Sequence, residues 1–307
     1  MEDEFCIYEG RSLPADDLND EHIIPLALGG VKSLIVRASK NFNSTVGADL
    51  EGKLAGELGM WQRRNEFDVR GHSGKRPLPT YKSGRIEELD LPVQVQIDKK
   101  NRVMNLYSPR HGRFLEEHES AGRTIKFTTT MDPTVKVRFA AKVALGAGYF
   151  AYGSAFAECA RVEHLRALIA LNEDEMSDDL AVVDPLFGEL SEQQKIIREL
   201  GRIVGLSSIV IVPSGNDISF CVTCLGEFCG ILRVRADTDR LPNEWRFQWG
   251  HILASDGERL RRGSFERGLT LLRELVLSQN AAQRKGSHPR SQPSSGARRG
   301  VAADEVC

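Results

Sequence analysis

The stretch Asn19–Gly30, NDEHIIPLALGG, places two carboxylates and a histidine directly before an apolar run that ends in Gly-Gly. Side chains alternate along a strand, so Glu21 and His22 would point to opposite faces. They can serve one site only where the strand bends or ends, and Pro25 with the downstream glycines favours a bend. Taken alone, an acidic-acidic-histidine triplet is more often a solvated strand edge. The alternative is a site where a metal ligand and a base lie together, and both interpretations stay open at this point.

The residue types in this stretch suit the hydrolysis of a phosphodiester bond. A hard divalent cation takes oxygen ligands, such as carboxylate and amide groups. Such an ion neutralises charge on the scissile phosphate and stabilises the leaving oxygen. An imidazole, with an unperturbed pKa of about 6.5, is well matched to activating water near neutral pH.

A helix is predicted shortly after this strand. In Asn43–Leu58, NSTVGADLEGKLAGEL, apolar residues recur every four positions, which indicates one buried face. Asn43 or Ser44 is the expected N-cap. Glu51, eight residues after Asn43, is predicted to be an exposed helix carboxylate, with approach to the same end of the segment as the alternative.

Three short motifs resemble the HNH endonuclease family, specifically its subgroup with a DEHIIP-type strand. They are CIYEG from Cys6, DEHIIPLALGG from Asp20 and ASKNFN from Ala38, and together they cover roughly Cys6–Leu54. The resemblance implies a ββα-metal finger in residues 1–58 that hydrolyses DNA with one divalent ion, commonly Mg²⁺, with Mn²⁺ as an alternative. It makes His22 the general base and Glu21 and Asn43 the metal ligands.

Two departures from the family pattern motivate an alternative function. The four cysteines of the family's zinc knuckle align with Cys6, Glu9, Ser39 and Phe42, which is not a tetrahedral zinc ligand set, so no structural zinc is expected. An inward-turned Phe42 would fill the vacated space. The family's central Asn is absent, and Leu34 or Ile35 occupies that region. The alternative is therefore a catalytically degenerate nucleic-acid-binding or regulatory module.

A basic segment follows the finger. Trp61–Arg85 carries seven basic and two acidic side chains, interleaved with three aromatic rings, and its Gly and Pro residues predict an extended or loop-rich conformation. This composition suits phosphates and exposed bases. The predicted nucleic-acid contacts are Arg63, Arg64, Arg70, Lys75 and Arg76; a solvated linker is the competing interpretation.

The remaining chain predicts an α+β fold. Residues 59–134 are expected to form a basic, loop-rich β segment with a hairpin of Leu91–Ile97 and Arg102–Ser108. Residues 135–279 are expected to form an α+β domain, and 280–307, rich in Pro, Ser, Gly and Arg, to be disordered. The α+β domain would hold a mostly helical stretch from Val135 to Leu171, a helix opened by a capping box at Ser191, a β-meander, and a last helix from Gly257 to Ser278.

Composition limits the function classes. The 307 residues carry 41 basic and 43 acidic side chains, with no apolar run long enough to span a membrane and no signal-peptide pattern, which predicts a cytoplasmic protein. Cys221, Cys224 and Cys229 are predicted to be buried apolar thiols rather than metal ligands.

DNA is the expected partner, no membrane is expected, and the oligomeric state is open. A third hypothesis is an interaction protein in which the finger is a structural remnant.

Overall fold

The computed structural model describes residues 3–71, 74, 80–97, 103–128, 132–171, 180–183, 189–242 and 244–286. Helices and antiparallel sheets both contribute, so the α+β prediction is confirmed. Among these residues no helix combines the length and the apolar character that crossing a bilayer requires.

The N-terminal region contains two small hairpins and a helix. Strand β1 (Asp3–Cys6) pairs with β2 (Arg11–Pro14), and β3 (Leu18–His22) pairs with β4 (Ile35–Ser39), both antiparallel. Strand β4 leads directly into α1 (Lys40–Phe42), a π-helical turn (Asn43–Gly47) and α2 (Ala48–Gly56).

The predicted helix boundaries in this region were wrong at both ends. The cap is Ser39 rather than Asn43 or Ser44, because the Ser39 hydroxyl accepts a hydrogen bond from the Phe42 amide at 3.2 Å. The helix ends at Gly56, since Glu57 is extended, and a new helix, α3 (Leu58–Glu66), begins there. Helix α3 occupies the start of the segment that was predicted to be loop-rich.

A second sheet follows α3. Its strands are β5 (Thr80–Ile86), β6 (Leu91–Ile97), β7 (Val103–Ser108), β8 (Arg113–Phe114) and β9 (Ile125–Phe127), in the order β8-β7-β6-β5-β9. The predicted hairpin is confirmed as β6 and β7. A short helix, α4 (Glu117–Ser120), precedes β9. A small core of its own, which includes Trp61 and Val95, supports this sheet.

The long helical stretch is broken into three helices. These are α5 (Pro133–Tyr152), α6 (Ser154–Cys159) and α7 (Val162–Ala170), and Gly153, at φ 63° and ψ −145°, separates the first two. Gly146 and Gly148 lie within α5, where added Cβ atoms would come 2.5 Å from the Tyr8 hydroxyl and 2.4 Å from the Phe156 ring. Close packing of α5 against Tyr8 and against Phe156 of α6 explains these two glycines.

The C-terminal part is built on a six-stranded antiparallel sheet. Helix α8 (Glu192–Ile203) opens with the predicted capping box at Ser191. The strands are β10 (Ala181–Val183), β11 (Ser207–Ser214), β12 (Asp217–Cys224), β13 (Glu227–Arg235), β14 (His251–Ser255) and β15 (Leu260–Ser264), ordered β10-β13-β12-β11-β14-β15. The predicted meander is confirmed as β11–β13, and its three cysteines are buried and free.

The last helix differs from the prediction. Helix α9 (Phe265–Gly286) starts eight residues later than expected, because β15 occupies Leu260–Ser264. It also runs to Gly286, into the segment predicted to be disordered; residues 287–307 lie outside the described residues.

One large core joins the N-terminal hairpins to α5 and the six-stranded sheet, with fully buried members such as Leu50, Phe139 and Val222. Among the described residues, those up to Leu269 form one compact unit and those from Thr270 to Gly286 belong to a second. The domain boundaries at residues 58, 134 and 279 stay predictions.

Candidate active site at the end of strand β3

Two of the predicted metal ligands reach the same place. Glu21 lies opposite Val36 in the β3–β4 pair, and β4 continues into the helix that carries Asn43 and Gly47. A Cβ atom added at Gly47 would lie 3.6 Å from Asn43 Oδ1 and 3.7 Å from Glu21 Oε1. One carboxylate oxygen of Glu21 and the amide oxygen of Asn43 are therefore both near Gly47.

The orientation of the Asn43 amide is fixed by a neighbour on β3. Its Nδ2 donates a hydrogen bond to Asn19 Oδ1 at 3.1 Å. With the amide nitrogen engaged by Asn19, the amide oxygen is the atom left on the side of Gly47 and Glu21. This assignment gives Asn43 the donor chemistry that a hard cation needs.

A buried lysine completes the cluster, and sequence reasoning missed it. Lys142, on α5, is fully buried; its Nζ contacts the Glu21 carboxylate, lies 2.5 Å from Glu51 Oε1 and donates to the His22 carbonyl at 3.2 Å. The ammonium thus ties together β3, α2 and α5. The signal in the sequence was a single lysine within the apolar run Phe139–Gly148, FAAKVALGAG.

Burial and charge shift the pKa values within the cluster. Burial raises the pKa of Glu21 to about 7; the Lys142 ammonium opposes this rise and the Glu51 carboxylate adds to it. For Lys142, burial lowers the pKa, but Glu51 and Glu21 outweigh it and the net shift is upward. Glu51 keeps about a quarter of its side chain exposed. Because its carboxylate contacts Lys142, Glu51 lies at the cluster rather than on an exposed helix face. This was the less favoured of its two predicted positions.

The Tyr8 hydroxyl is a further polar atom beside the cluster. It is buried and has no hydrogen-bond partner among the described residues. Burial raises the pKa of Tyr8, and the nearby Glu21 and Glu51 carboxylates raise it further. A buried hydroxyl without a partner is costly, so Tyr8 destabilises the fold at this place unless its hydroxyl is paired.

The four positions that align with the zinc knuckle are also neighbours. The Ser39 amide donates to Cys6 Sγ at 3.3 Å, and hydrogen bonds from Ser39 and Arg11 lower the pKa of Glu9. Phe42 is buried and stacks on Tyr8 with ring centroids 4.3 Å apart, which confirms that it turns inward. Aromatic packing and hydrogen bonds hold these positions together without a thiolate ligand set.

His22 and Asp20 differ in their surroundings. His22, the last residue of β3, is half-buried, whereas Glu21 is buried on the opposite face of the strand. Asp20 is exposed and forms an ion pair with Arg37 at 3.2 Å, so it is a solvated neighbour of the cluster. Leu34 is fully buried.

The basic segment is more neutralised than its composition indicated. Arg63 contacts Glu227 at 2.7 Å and Glu66 at 2.8 Å, and Arg70 contacts Asp68 at 3.3 Å. Arg64 is buried and donates to the Ala55 carbonyl at 3.3 Å, so its guanidinium is not presented to a surface ligand, and that assignment is corrected. Lys75 and Arg76 lie outside the described residues.

The donor set fits a hard divalent cation. Glu21 Oε1 and Asn43 Oδ1 each lie within 3.7 Å of the Cβ position of Gly47, and the Lys142 ammonium contacts the same Glu21 oxygen, so an ion bound there would compete with that ammonium. In the part of the chain that the structure describes, no three His, Cys, Asp or Glu side chains come together as a metal ligand set. An ion here would use one carboxylate and one amide oxygen, with water and phosphate oxygens as further ligands.

No protein-family model, curated protein or solved structure matches this chain.

Proposed function

We propose that the protein is an HNH-type endonuclease that hydrolyses DNA phosphodiester bonds with one divalent ion, Mg²⁺ or Mn²⁺. Glu21 and Asn43 would hold the ion and His22 would act as the general base. The observation that carries this proposal is that Glu21 Oε1 and Asn43 Oδ1 both lie within 3.7 Å of the Cβ position of Gly47, at the junction of two antiparallel strands and a helix.

Each residue has a separate task in this proposal. A bound divalent ion supplies charge neutralisation at the scissile phosphate. His22 accepts the proton of the attacking water at its imidazole. Lys142 holds the Glu21 carboxylate and the His22 carbonyl, so that β3 keeps one orientation relative to α2.

The arrangement of Cys6, Glu9, Ser39 and Phe42 supports the family resemblance independently of the catalytic residues. These four residues come from two separate segments, and they lie beside one another where the family has its zinc knuckle.

The test is cleavage of supercoiled plasmid with Mg²⁺ or Mn²⁺, comparing the wild-type protein with His22→Ala and Glu21→Gln. We expect nicking by the wild type and a loss of at least about 100-fold in both variants, in line with the usual contribution of a general base. Asp20→Asn is the matched control, because Asp20 neighbours the site but is solvated. A folded wild-type protein that leaves plasmid intact with both ions refutes the proposal.

A second candidate is a non-catalytic nucleic-acid-binding or regulatory module. It is favoured by Lys142, whose ammonium already contacts both Glu21 and Glu51 and so provides a built-in cation. This candidate predicts salt-sensitive DNA binding without cleavage. Plasmid that is retarded in a gel but never nicked would select it over the nuclease.

A further inference from the structure

An exposed aromatic turn lies between β13 and β14, away from the site just described. Trp245 and Trp249 are 85% and 60% exposed, which is unusual for the residue type that proteins most often bury at least in part. Trp245 begins a short 3₁₀ turn, Trp245–Phe247, and Trp249 follows this turn by two residues. The Arg246 guanidinium lies 5.4 Å from the Phe247 ring centroid.

A groove runs beside this turn. Its walls include Trp249, Phe247, Leu241 and Pro213, and Asp239 is the one carboxylate that lines it among the described residues. Tyr152 also lines it; that side chain is 7% exposed, and its hydroxyl has no hydrogen-bond partner within the described ranges. Apolar faces and a buried hydroxyl that lacks a partner fit a flat ligand with a polar edge.

The groove also has positive charge next to its rings. The Arg262 guanidinium lies 4.6 Å from the Phe247 ring centroid, and Arg262 Nε lies 3.4 Å from His251 Nδ1. His251 stacks on Phe247, with centroids 4.5 Å apart, and forms an edge contact with Tyr152. Arg246 and Arg262 therefore place guanidinium groups at an aromatic surface, where an anionic backbone would be attracted.

We propose that this surface binds single-stranded nucleic acid by stacking unpaired bases. Exposed aromatic rings with adjacent arginines are what such binding needs, because every base has a flat face and every nucleotide a phosphate. The Tyr152 hydroxyl and the Asp239 carboxylate would meet the polar edge of a base. The inference takes nucleic acid as the ligand from the proposed function, but binding is measured without any cleavage.

The tryptophans themselves provide the first readout. The chain has three tryptophans, and Trp61 is buried, so exposed emission comes from Trp245 and Trp249. Oligo(dT) of about 15 nucleotides, in low salt with EDTA, should quench this emission. In a parallel anisotropy titration with fluorescein-labelled oligo(dT), Trp245→Ala and Trp249→Ala should each weaken binding about tenfold, consistent with the loss of one stacked base. Tyr152→Phe removes only the hydroxyl and should weaken binding to heteropolymer DNA.

Phe114→Ala is the control, because Phe114 is an exposed aromatic residue, 50% exposed, on the other sheet. It should bind as the wild type does. Unquenched emission in low salt, or unchanged affinity in both tryptophan variants, overturns the inference and leaves a protein partner as the occupant of the turn. If the tryptophan variants lose binding while plasmid is never nicked, this inference stands and the proposed nuclease function fails. If plasmid is nicked while both tryptophan variants bind oligo(dT) as the wild type does, this inference fails and the proposed nuclease function stands.

Discussion

Replacing Lys142 by Met removes the one buried cation of the cluster and leaves its two carboxylates facing each other. Glu21 is 3% exposed and Lys142 fully buried, so water cannot compensate for the lost ammonium. Breaking a buried ion pair by removing one partner costs about 3–5 kcal/mol. We therefore expect the free energy of unfolding to fall by about 4 kcal/mol and the melting temperature by roughly 10 °C.

Urea unfolding monitored by circular dichroism at pH 7.5 measures this change. The matched control is Lys53→Met, which removes an exposed pair with Asp49 and should cost less than about 1 kcal/mol. The triple variant Lys142→Met, Glu21→Gln, Glu51→Gln removes all three charges and should recover most of the loss, because a neutral cluster of similar volume needs no counter-ion.

The pH dependence gives a second check on the same variant. Burial already raises the pKa of Glu21 to about 7 in the wild type, so the folded state takes up a proton that the unfolded state releases above its ordinary pKa of about 4.5. Without the ammonium this pKa rises further, and the folded variant regains stability as the pH falls from 7.5 towards 5. The difference in free energy of unfolding between the variant and the wild type should therefore be smaller at pH 5 than at pH 7.5. A loss below 1 kcal/mol at pH 7.5, or a triple variant as unstable as the single one, refutes this account of the cluster.

Three further outcomes are expected. Gly47→Ala adds a methyl group 3.6 Å from Asn43 Oδ1 and 3.7 Å from Glu21 Oε1, on the side of the cluster proposed for the ion. The protein should gain up to about 1 kcal/mol in its free energy of unfolding in urea, while plasmid nicking should fall at least tenfold. Unchanged nicking would contradict the proposed ion position. His251 has its pKa lowered to about 4, chiefly by burial and also by Arg262, so the stability it contributes is present above about pH 6.5 and is lost as the pH falls to 4. His251→Phe should reduce the change in free energy of unfolding between pH 6.5 and pH 4 by at most about 3 kcal/mol. If the pH dependence of that free energy is unchanged in the variant, a buried neutral imidazole is contradicted. Gly148→Ala should cost about 1–3 kcal/mol, because its Cβ would lie 2.4 Å from the Phe156 ring; a neutral result would mean that the ring moves freely.

Local patterns in the sequence predicted the elements whose stability is local. The alternation in Leu91–Ile97, the capping box at Ser191 and the meander through Cys221 each depend on neighbouring residues, and each is present. Boundaries were less predictable, because Ser39 at a strand end competes with Asn43 as a helix cap. The strand β15 was missed, since its exposed, arginine-containing sequence lacks an apolar alternation.

The candidate site was predictable only in part, for a physical reason. Glu21 and Asn43 belong to short motifs, so the resemblance predicts that they lie close together; both are near Gly47, and their role as metal ligands stays a prediction. Lys142 approaches them through tertiary packing of α5, far along the chain, and no spacing rule connects it to Glu21. Arg64 shows where composition misleads. The basic composition of Trp61–Arg85 indicated that Arg64 is at the surface, but Arg64 lies on the buried face of the nine-residue helix α3.

The most direct test of the central claim is anomalous diffraction from a crystal soaked in Mn²⁺. The account predicts one peak roughly 2.0–2.4 Å from oxygens of Glu21 and Asn43, on the Gly47 side of the cluster. It further predicts that the peak disappears in Gly47→Ala crystals of the same form. A map with no peak there, and with Lys142 still bridging Glu21 and Glu51, would contradict it.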